Sequence, residues 1–163
     1  MQIVLIGMPG SGKSFLGQKI AERLGYRFVD TDVLLEERHG MPLQNILDTL
    51  GADAFKAQEA EEVICALDHA DIVVAPGGSI VYSEDAMRRI RDARVIHVES
   101  SLPILRDRIG ERPRGIVGGR EMSLEELYAE RIPLYRAHEH VRFDGDEGAD
   151  ALTEIIMRWL SRI

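Results

Sequence analysis

The chain has one cysteine, few lysines and no excess of positive charge. The single cysteine excludes an intrachain disulfide, and the charge argues against polyanionic partners. Cys65 is the only cysteine among 163 residues, so no intrachain disulfide can form, which fits a reducing compartment. Only three of the 20 basic residues are lysines, and the formal net charge is −8. A chain of this charge lacks the positive field that attracts nucleic acid or an anionic membrane. We therefore expect neither partner.

Long hydrophobic runs are also missing. No apolar run approaches the length of a transmembrane helix, and the run at residues 3–6 is too short for the core of a signal peptide. These absences predict a cytoplasmic protein, and we expect a monomer. The apolar fraction of 45% in 163 residues is enough for the core of one domain. Cys65 lies in an apolar stretch and is predicted to be a buried thiol.

Short runs rich in valine and isoleucine alternate with helical patterns along the chain. This alternation predicts an α/β fold in which helices cover both faces of a parallel sheet. Pro133 is expected to end or kink the helix that precedes it. The predicted strands are residues 2–6, 27–29, 71–75, 94–98 and 140–143, and the predicted helices are residues 13–24, 33–38, 53–69, 83–91, 102–109, 124–131 and 151–160.

The strongest motif follows the first predicted strand. Residues 7–14 match the phosphate-loop pattern G-x-x-x-x-G-K-[ST], and a predicted helix begins at Lys13. Glycines let backbone N–H groups point at phosphate oxygens, Lys13 can reach the β- and γ-phosphates, and the Ser14 hydroxyl can ligate Mg²⁺. The alternative is a glycine-rich turn with an incidental Lys-Ser pair. The context favours nucleotide binding, with contacts from Gly7, Pro9, Gly10, Ser11, Gly12, Lys13 and Ser14.

Other features narrow the class of nucleotide-binding protein. A GTP-binding switch usually carries an Asn-Lys-x-Asp guanine reader, but the only asparagine is Asn45, which isoleucine follows. A chain of 163 residues also has little room for the coupling elements of a motor. A small kinase remains, and a kinase needs an acceptor site near the γ-phosphate.

Two segments at predicted strand ends can contribute to that acceptor site. Asp30 and Asp32 follow the second predicted strand, and the carboxyl ends of parallel strands face the ligand crevice. One carboxylate can serve Mg²⁺ or its waters and the other the acceptor hydroxyl. The alternative is an N-cap of the next helix, a role that one of them can combine with function. Residues 76–79, Pro-Gly-Gly-Ser, allow close ligand approach, although they also suit an ordinary turn.

Arginines supply the remaining candidates. Arg131 precedes Pro133 in a predicted helix, and on its own it is most simply a solvated surface arginine. Residues 110–121 have irregular composition and predict a mobile surface loop, within which Arg112, Arg114 and Arg120 lie. An arginine that folds over the γ-phosphate would offset charge in the transition state and exclude water.

Together and in this order, these segments resemble the shikimate kinase family over essentially the whole chain. The resemblance implies a single domain of the three-layer P-loop kinase fold, with a five-stranded parallel sheet, a lid at about residues 110–121 and an acceptor-binding helical segment at about residues 31–69. It also implies transfer of phosphate from ATP, with Mg²⁺, to the 3-hydroxyl of shikimate on the route to aromatic amino acids. The implied partners are therefore ATP and a small hydroxy acid.

The resemblance also implies residue roles. Lys13 and Ser14 would hold the phosphates and Mg²⁺, and Asp30 would order the water shell of the metal. Asp32 would bind the ring hydroxyls of the acceptor and orient or deprotonate the attacking one. The other implied roles are nucleotide contacts from Phe15 and Arg108, a pocket lining from Gly77 and Gly78, a carboxylate clamp from Arg131, and a catalytic lid arginine at Arg112 or Arg114.

Three departures from the family pattern concern the acceptor. Lys56 stands in Phe-Lys-Ala-Gln-Glu where the family has an arginine that forks onto the shikimate carboxylate, and lysine offers only a point charge. Ser79 replaces the third glycine of Gly-Gly-Gly, and the lid is short around residues 108–114. Lys56 and Ser79 remain candidate substrate-binding residues. The alternatives are a kinase of another hydroxy acid or polyol such as gluconate, or a nucleotide-binding module without catalysis.

Overall fold

The computed structural model describes residues 1–110 and 115–162, and a five-stranded sheet forms its centre. The strands are β1 Gln2–Ile6, β2 Arg27–Asp30, β3 Ile72–Ala75, β4 Arg94–Glu99 and β5 Val141–Asp144. The helices are α1 Lys13–Leu24, α2 Thr31–His39, α3 Leu43–Leu50, α4 Ala52–Ala66, α5 Glu84–Ile90, α6 Leu102–Ile109, α7 Leu124–His138 and α8 Ala149–Leu160, and a 3₁₀ turn covers Gly78–Tyr82.

All pairings in the sheet are parallel, and the strand order is β2-β3-β1-β4-β5. The chain runs outward from β1 to one edge and then crosses to the other. β1 is therefore flanked by β3 and β4, and the loop that leaves β1 lies at the crevice between two halves of the sheet. The residues of β3 are buried throughout, which matches their unbroken apolar sequence. The predicted fold class is confirmed.

Helices cover both faces of the sheet. On one face, Val4 and Ile6 of β1 pack in a core that includes residues of α4, α5 and α7. On the other face, Ile3 and Leu5 pack against α1 and α8. A third, smaller cluster lies away from the sheet and joins α2, α3, α4 and Val117. This third cluster supports the helical segment that faces the phosphate loop.

The structure corrects three expectations about elements. Pro133 does not end its helix, because the buried residues Ile132 and Tyr135 hold α7 against the core on both sides of it. Helix α3 was not predicted, although its apolar residues recur at helical spacing. Cys65 is exposed rather than buried, because the inward stripe of α4 passes through Val63 and Leu67 and leaves Cys65 on the opposite side.

No helix within residues 1–110 and 115–162 combines the length and the apolar content needed to cross a bilayer.

Candidate active site

The phosphate loop joins β1 to α1 and is held by hydrogen bonds to its own backbone. Gly12 caps α1 with a left-handed backbone (φ 90°), a conformation that a side chain would strain. The N–H of Ser11 bonds to the carbonyl of Met8 at 3.2 Å, and the Lys13 ammonium donates to that same oxygen at 2.9 Å. Gly12, Lys13 and Ser14 at the start of α1 line a cavity, and no side chain caps this helix end. An uncapped helix N-terminus with a lysine beside it is suited to bind an anion.

Lys13 lies among carboxylates. Its side chain is buried, and burial lowers its pKa to about 8, while the charges of Asp32, Asp30 and Glu59 oppose that shift. Such a lysine is poorly hydrated before any ligand binds. Phosphate oxygens would supply negative charge that stabilises its protonated form.

Asp30 and Asp32 combine capping with exposure to the cavity. Asp30 Oδ1 accepts the N–H of Asp32 at 3.0 Å and that of Val33 at 3.4 Å, so Asp30 is the N-cap of α2. Both aspartates also line the cavity that contains the phosphate loop. Burial and the charge of Asp30 raise the pKa of Asp32 to about 6, and Lys13 opposes the rise. The capping and functional interpretations of Asp30 are therefore compatible.

A further carboxyl group, from α4, lines the same cavity next to the turn that follows β3. Glu59 of α4 is 1% exposed, and Ser79 Oγ donates to its Oε2 at 2.5 Å. A Cβ on Gly77 would overlap Glu59 Oε1 and lie 2.7 Å from Asp32 Oδ1, so only glycine leaves room for these oxygens. Burial and the charge of Asp32 raise the pKa of Glu59 to about 8. Sequence reasoning missed Glu59, although a glutamate within the inward stripe of α4 was the available signal.

The raised pKa of Glu59 predicts how stability depends on pH. Because the folded pKa exceeds the ordinary value of 4.5, the contribution of Glu59 is complete below about pH 4.5 and is lost as pH rises toward 8. Glu59→Gln mimics the neutral carboxyl and keeps an acceptor for Ser79. Its Tm should match that of the parent at pH 5 and exceed it by about 5–10 °C at pH 9. Thermal unfolding measures this, with the exposed Glu61→Gln as control; a difference independent of pH would contradict the assignment.

Arg131 is buried rather than solvated. It is 1% exposed, its Nε donates to Tyr82 Oη at 3.1 Å, and one Nη donates to the carbonyl of Val117 at 2.6 Å. Its guanidinium lies 5.2 Å from the centre of the Tyr82 ring. The other Nη faces Gly78, where a Cβ would lie 3.1 Å away. Arg131 does not itself line the cavity, but it lies beside Gly78, which does. A buried guanidinium in that position is suited to bind an anionic group.

The described residues of the predicted lid pack against α3 and its neighbours. The N–H of Gly115 donates to Gln44 of α3 at 3.0 Å, and Arg120 pairs with Asp48 at 2.8 Å. Val117 is buried in the cluster around α3. Arg112 and Arg114 lie outside the described residues.

Phe15 and Arg108, the other candidate nucleotide contacts, lie at the cavity, whereas Lys56 lies outside it. Phe15 and Arg108 line the cavity, and Arg108 donates to the carbonyls of Gly10 and Gly145 at 3.3 and 3.2 Å. Lys56 is not among the residues that line the cavity. Its ammonium pairs with Asp53 at 3.1 Å and lies 5.7 Å from the centre of the Tyr82 ring.

This placement predicts a small effect for Lys56. Lys56→Ala should change the KM for the acceptor by no more than about threefold, because an ion pair with a fully exposed aspartate contributes little. Steady-state kinetics with varied acceptor measures the change, and Lys19→Ala, which removes a similarly exposed lysine of α1, is the control. A tenfold or larger rise specific to Lys56→Ala would show that the ammonium reaches the acceptor.

Most of the predicted site residues that the structure describes line one cavity of about 390 Å³; the exceptions are Gly7, Ser11, Lys56 and Arg131. The phosphate loop forms one end, and Asp32, Glu59 and Gly77 form part of the other. Ser14 and Asp30 are oxygen donors beside the loop, and no group of three or more metal-ligating side chains occurs in the described part of the chain. Such a set fits Mg²⁺, which is usually bound by one or two protein oxygens together with substrate phosphates. The arrangement can hold a triphosphate and a hydroxylated acceptor together.

Comparison with known proteins gives the same family as the sequence resemblance. The model of the shikimate kinase family matches residues 9–161. Shikimate kinase from Dechloromonas aromatica is 32% identical over 166 residues, covering 99% of this chain and 91% of the relative. That from Mycobacterium avium is 38% identical over 144 residues, covering 86% and 82%. A solved structure of shikimate kinase from Acinetobacter baumannii in complex with shikimate superposes with a TM-score of 0.90 at 25% identity, covering 99% and 93%.

These matches extend over nearly the whole chain. Among the segments that carry the resemblance, most of the phosphate loop, the two aspartates after β2 and the two glycines after β3 line the cavity. The chain therefore belongs to the shikimate kinase family and is a phosphotransferase that uses ATP as the donor for a hydroxyl group.

Proposed function

We propose that this chain, with Mg²⁺, phosphorylates the 3-hydroxyl of shikimate. The observation that carries the proposal is that the phosphate loop and Asp32 line a single cavity, with the buried Arg131 beside Gly78 of its wall. The relative from Acinetobacter baumannii has been solved with shikimate, and it superposes over nearly the whole chain. Shikimate offers hydroxyl groups for carboxylates and a carboxylate for an arginine.

On the donor side, the loop residues and Lys13 would hold the β- and γ-phosphates. Ser14 and Asp30 would hold Mg²⁺, directly or through water, and the metal would neutralise phosphate charge. The residues at the start of α1 line the cavity, and no side chain caps their N–H groups. Because these groups are fixed by the fold, they need no reorganisation during transfer.

On the acceptor side, Asp32 would bind the attacking hydroxyl. Gly77, Gly78 and Ser79 would line the pocket that holds the ring of the acceptor. The hydroxyl oxygen forms a bond to the γ-phosphorus as the bond to the leaving ADP oxygen breaks. The hydroxyl proton passes to the Asp32 carboxylate. Arg131 would hold the carboxylate, aided by the fork that its guanidinium presents.

We expect one domain over residues 1–163, in which residues 31–69 bind the acceptor and residues 110–121 form a lid whose catalytic arginine is Arg112 or Arg114. The packing of Gly115 and Val117 against the acceptor side supports this role for the lid. We expect a cytoplasmic monomer whose partners are small molecules.

A panel of acceptors tests the proposal. ADP release should be measured with shikimate, quinate, gluconate and related hydroxy acids, each with Mg²⁺ and again with excess chelator. Activity confined to shikimate and lost with the chelator supports the proposal. Turnover of another acceptor while shikimate remains inert would overturn it, and Lys56, which turns toward Asp53, is the observation that favours that alternative. ATP binding without turnover of any acceptor would instead indicate a module without catalysis.

A further inference from the structure

Glu59 presents a buried oxygen that the fold itself does not satisfy. Its carboxyl is 1% exposed, and Oε2 accepts the hydroxyl of Ser79 at 2.5 Å. Oε1 is also buried and has no hydrogen-bond partner within residues 1–110 and 115–162. Buried carboxyl oxygens are normally hydrogen-bonded. An unpartnered carboxyl oxygen beside a cavity therefore indicates that a bound ligand supplies the missing hydrogen bond.

The position of Oε1 shows what the ligand would contact. Gly77 lies between Glu59 Oε1 and Asp32 Oδ1, since a Cβ there would crowd both atoms. Both carboxyls line the same cavity as the phosphate loop. An acceptor whose attacking hydroxyl lies at Asp32 would therefore bring a neighbouring hydroxyl to Glu59.

The cations around Glu59 have other partners. Lys13 donates to the carbonyl of Met8, and Arg131 donates to Tyr82 and Val117. Lys56, three residues earlier on α4, pairs with Asp53 on the outer side. Among the described residues, Ser79 is the one whose side chain is hydrogen-bonded to Glu59. The orientation of the carboxyl therefore depends on that hydroxyl.

We infer that Ser79 is a positioning residue that fixes Glu59 so that its Oε1 binds a second acceptor hydroxyl, adjacent to the one that is phosphorylated. This inference rests on the proposed function and makes the enzyme selective for acceptors with two neighbouring hydroxyls. The charges that face the pair are those of Asp32 on α2, Lys13 on α1 and Arg131 on α7. None of them replaces the directional hydrogen bond from Ser79.

Kinetics with analogues of shikimate test this role. Ser79→Ala should raise the KM for shikimate about tenfold and leave the KM for ATP unchanged, because one buried hydrogen bond is lost on the acceptor side. With 4-deoxyshikimate, which lacks the hydroxyl adjacent to the reacting one, parent and variant should have equal KM values. Ser79→Thr, which keeps the hydroxyl, should restore most of the affinity. A KM penalty that persists on 4-deoxyshikimate would overturn the inference.

A second variant and a control keep the test decisive. Glu59→Leu removes both oxygens, so it should also lose the preference for shikimate over 4-deoxyshikimate, and adding Ser79→Ala should cause no further change. An additive effect of the two would overturn the inference. Ser83→Ala, which removes the cap of α5 just beyond the same 3₁₀ turn, should leave both KM values unchanged. If the parent does not use shikimate, the proposed function fails, and the same comparison made on its actual acceptor and the matching deoxy analogue decides the role of Ser79.

Discussion

Replacing Lys13 with alanine is expected to lower kcat by about 10³-fold and to weaken ATP binding. The ammonium lies within the phosphate loop, 2.9 Å from the Met8 carbonyl, where the transferred phosphate would develop charge. Three carboxyl groups, those of Asp30, Asp32 and Glu59, surround it. Without Lys13, the negative charges of Asp30 and Asp32 would repel the triphosphate instead of being balanced. Single-turnover rates and calorimetric titration of ATP measure the two effects separately.

Lys19 provides the matched control for this experiment. It lies on the same helix, and its ammonium pairs with an exposed aspartate at 2.9 Å, outside the cavity. Lys19→Ala should leave kcat within about twofold, since surface ion pairs contribute little. A Lys13→Ala enzyme that retains more than a tenth of the parent kcat would show that another cation serves the transferred phosphate.

Much of the fold follows from local sequence pattern. The bounds of β1, α1 and α6 are those that the apolar runs and glycines predicted. The alternation of strands and helices gave the parallel sheet, because parallel strands need crossover connections. Pro133 shows the limit of such reasoning. Its cost to a helix, about 3 kcal/mol, is a local quantity, whereas the burial of Ile132 and Tyr135 that offsets it depends on the assembled core.

The donor side of the site was more predictable than the acceptor side. The phosphate loop is contiguous in sequence, so its chemistry can be recognised from residue types and spacing alone. The acceptor side is assembled from α2, α4, the turn after β3 and α7, and its contacts join residues far apart. No local sequence pattern predicts the hydrogen bond from Ser79 to Glu59 or the burial of Arg131. Lys56 occupies the position of the family's substrate-binding arginine, but that position did not determine where its side chain lies. Its ammonium pairs with Asp53 instead.

Asp32→Asn is expected to reduce kcat by about 10²–10⁴-fold while the KM for ATP changes little. Asparagine fills the same space, and the N-cap of α2 is unaffected because Asp30 provides it. What is lost is the acceptor for the hydroxyl proton. Burial and the charge of Asp30 raise the pKa of Asp32 to about 6, so the ionised base is depleted as pH falls below that value. The parent should therefore show a falling acidic limb near pH 6 that Asp32→Asn lacks.

Asp53→Asn is the control, since Asp53 is fully exposed on the outer side of α4 and its loss should leave kcat and the pH profile unchanged. The outcome separates two roles of Asp32 that the geometry alone allows. A loss of 10²-fold or more in kcat together with loss of the acidic limb identifies a general base. A variant that keeps kcat within a few-fold but raises the KM for shikimate identifies a residue that only orients the hydroxyl, and transfer would then proceed with the proton released to solvent or phosphate.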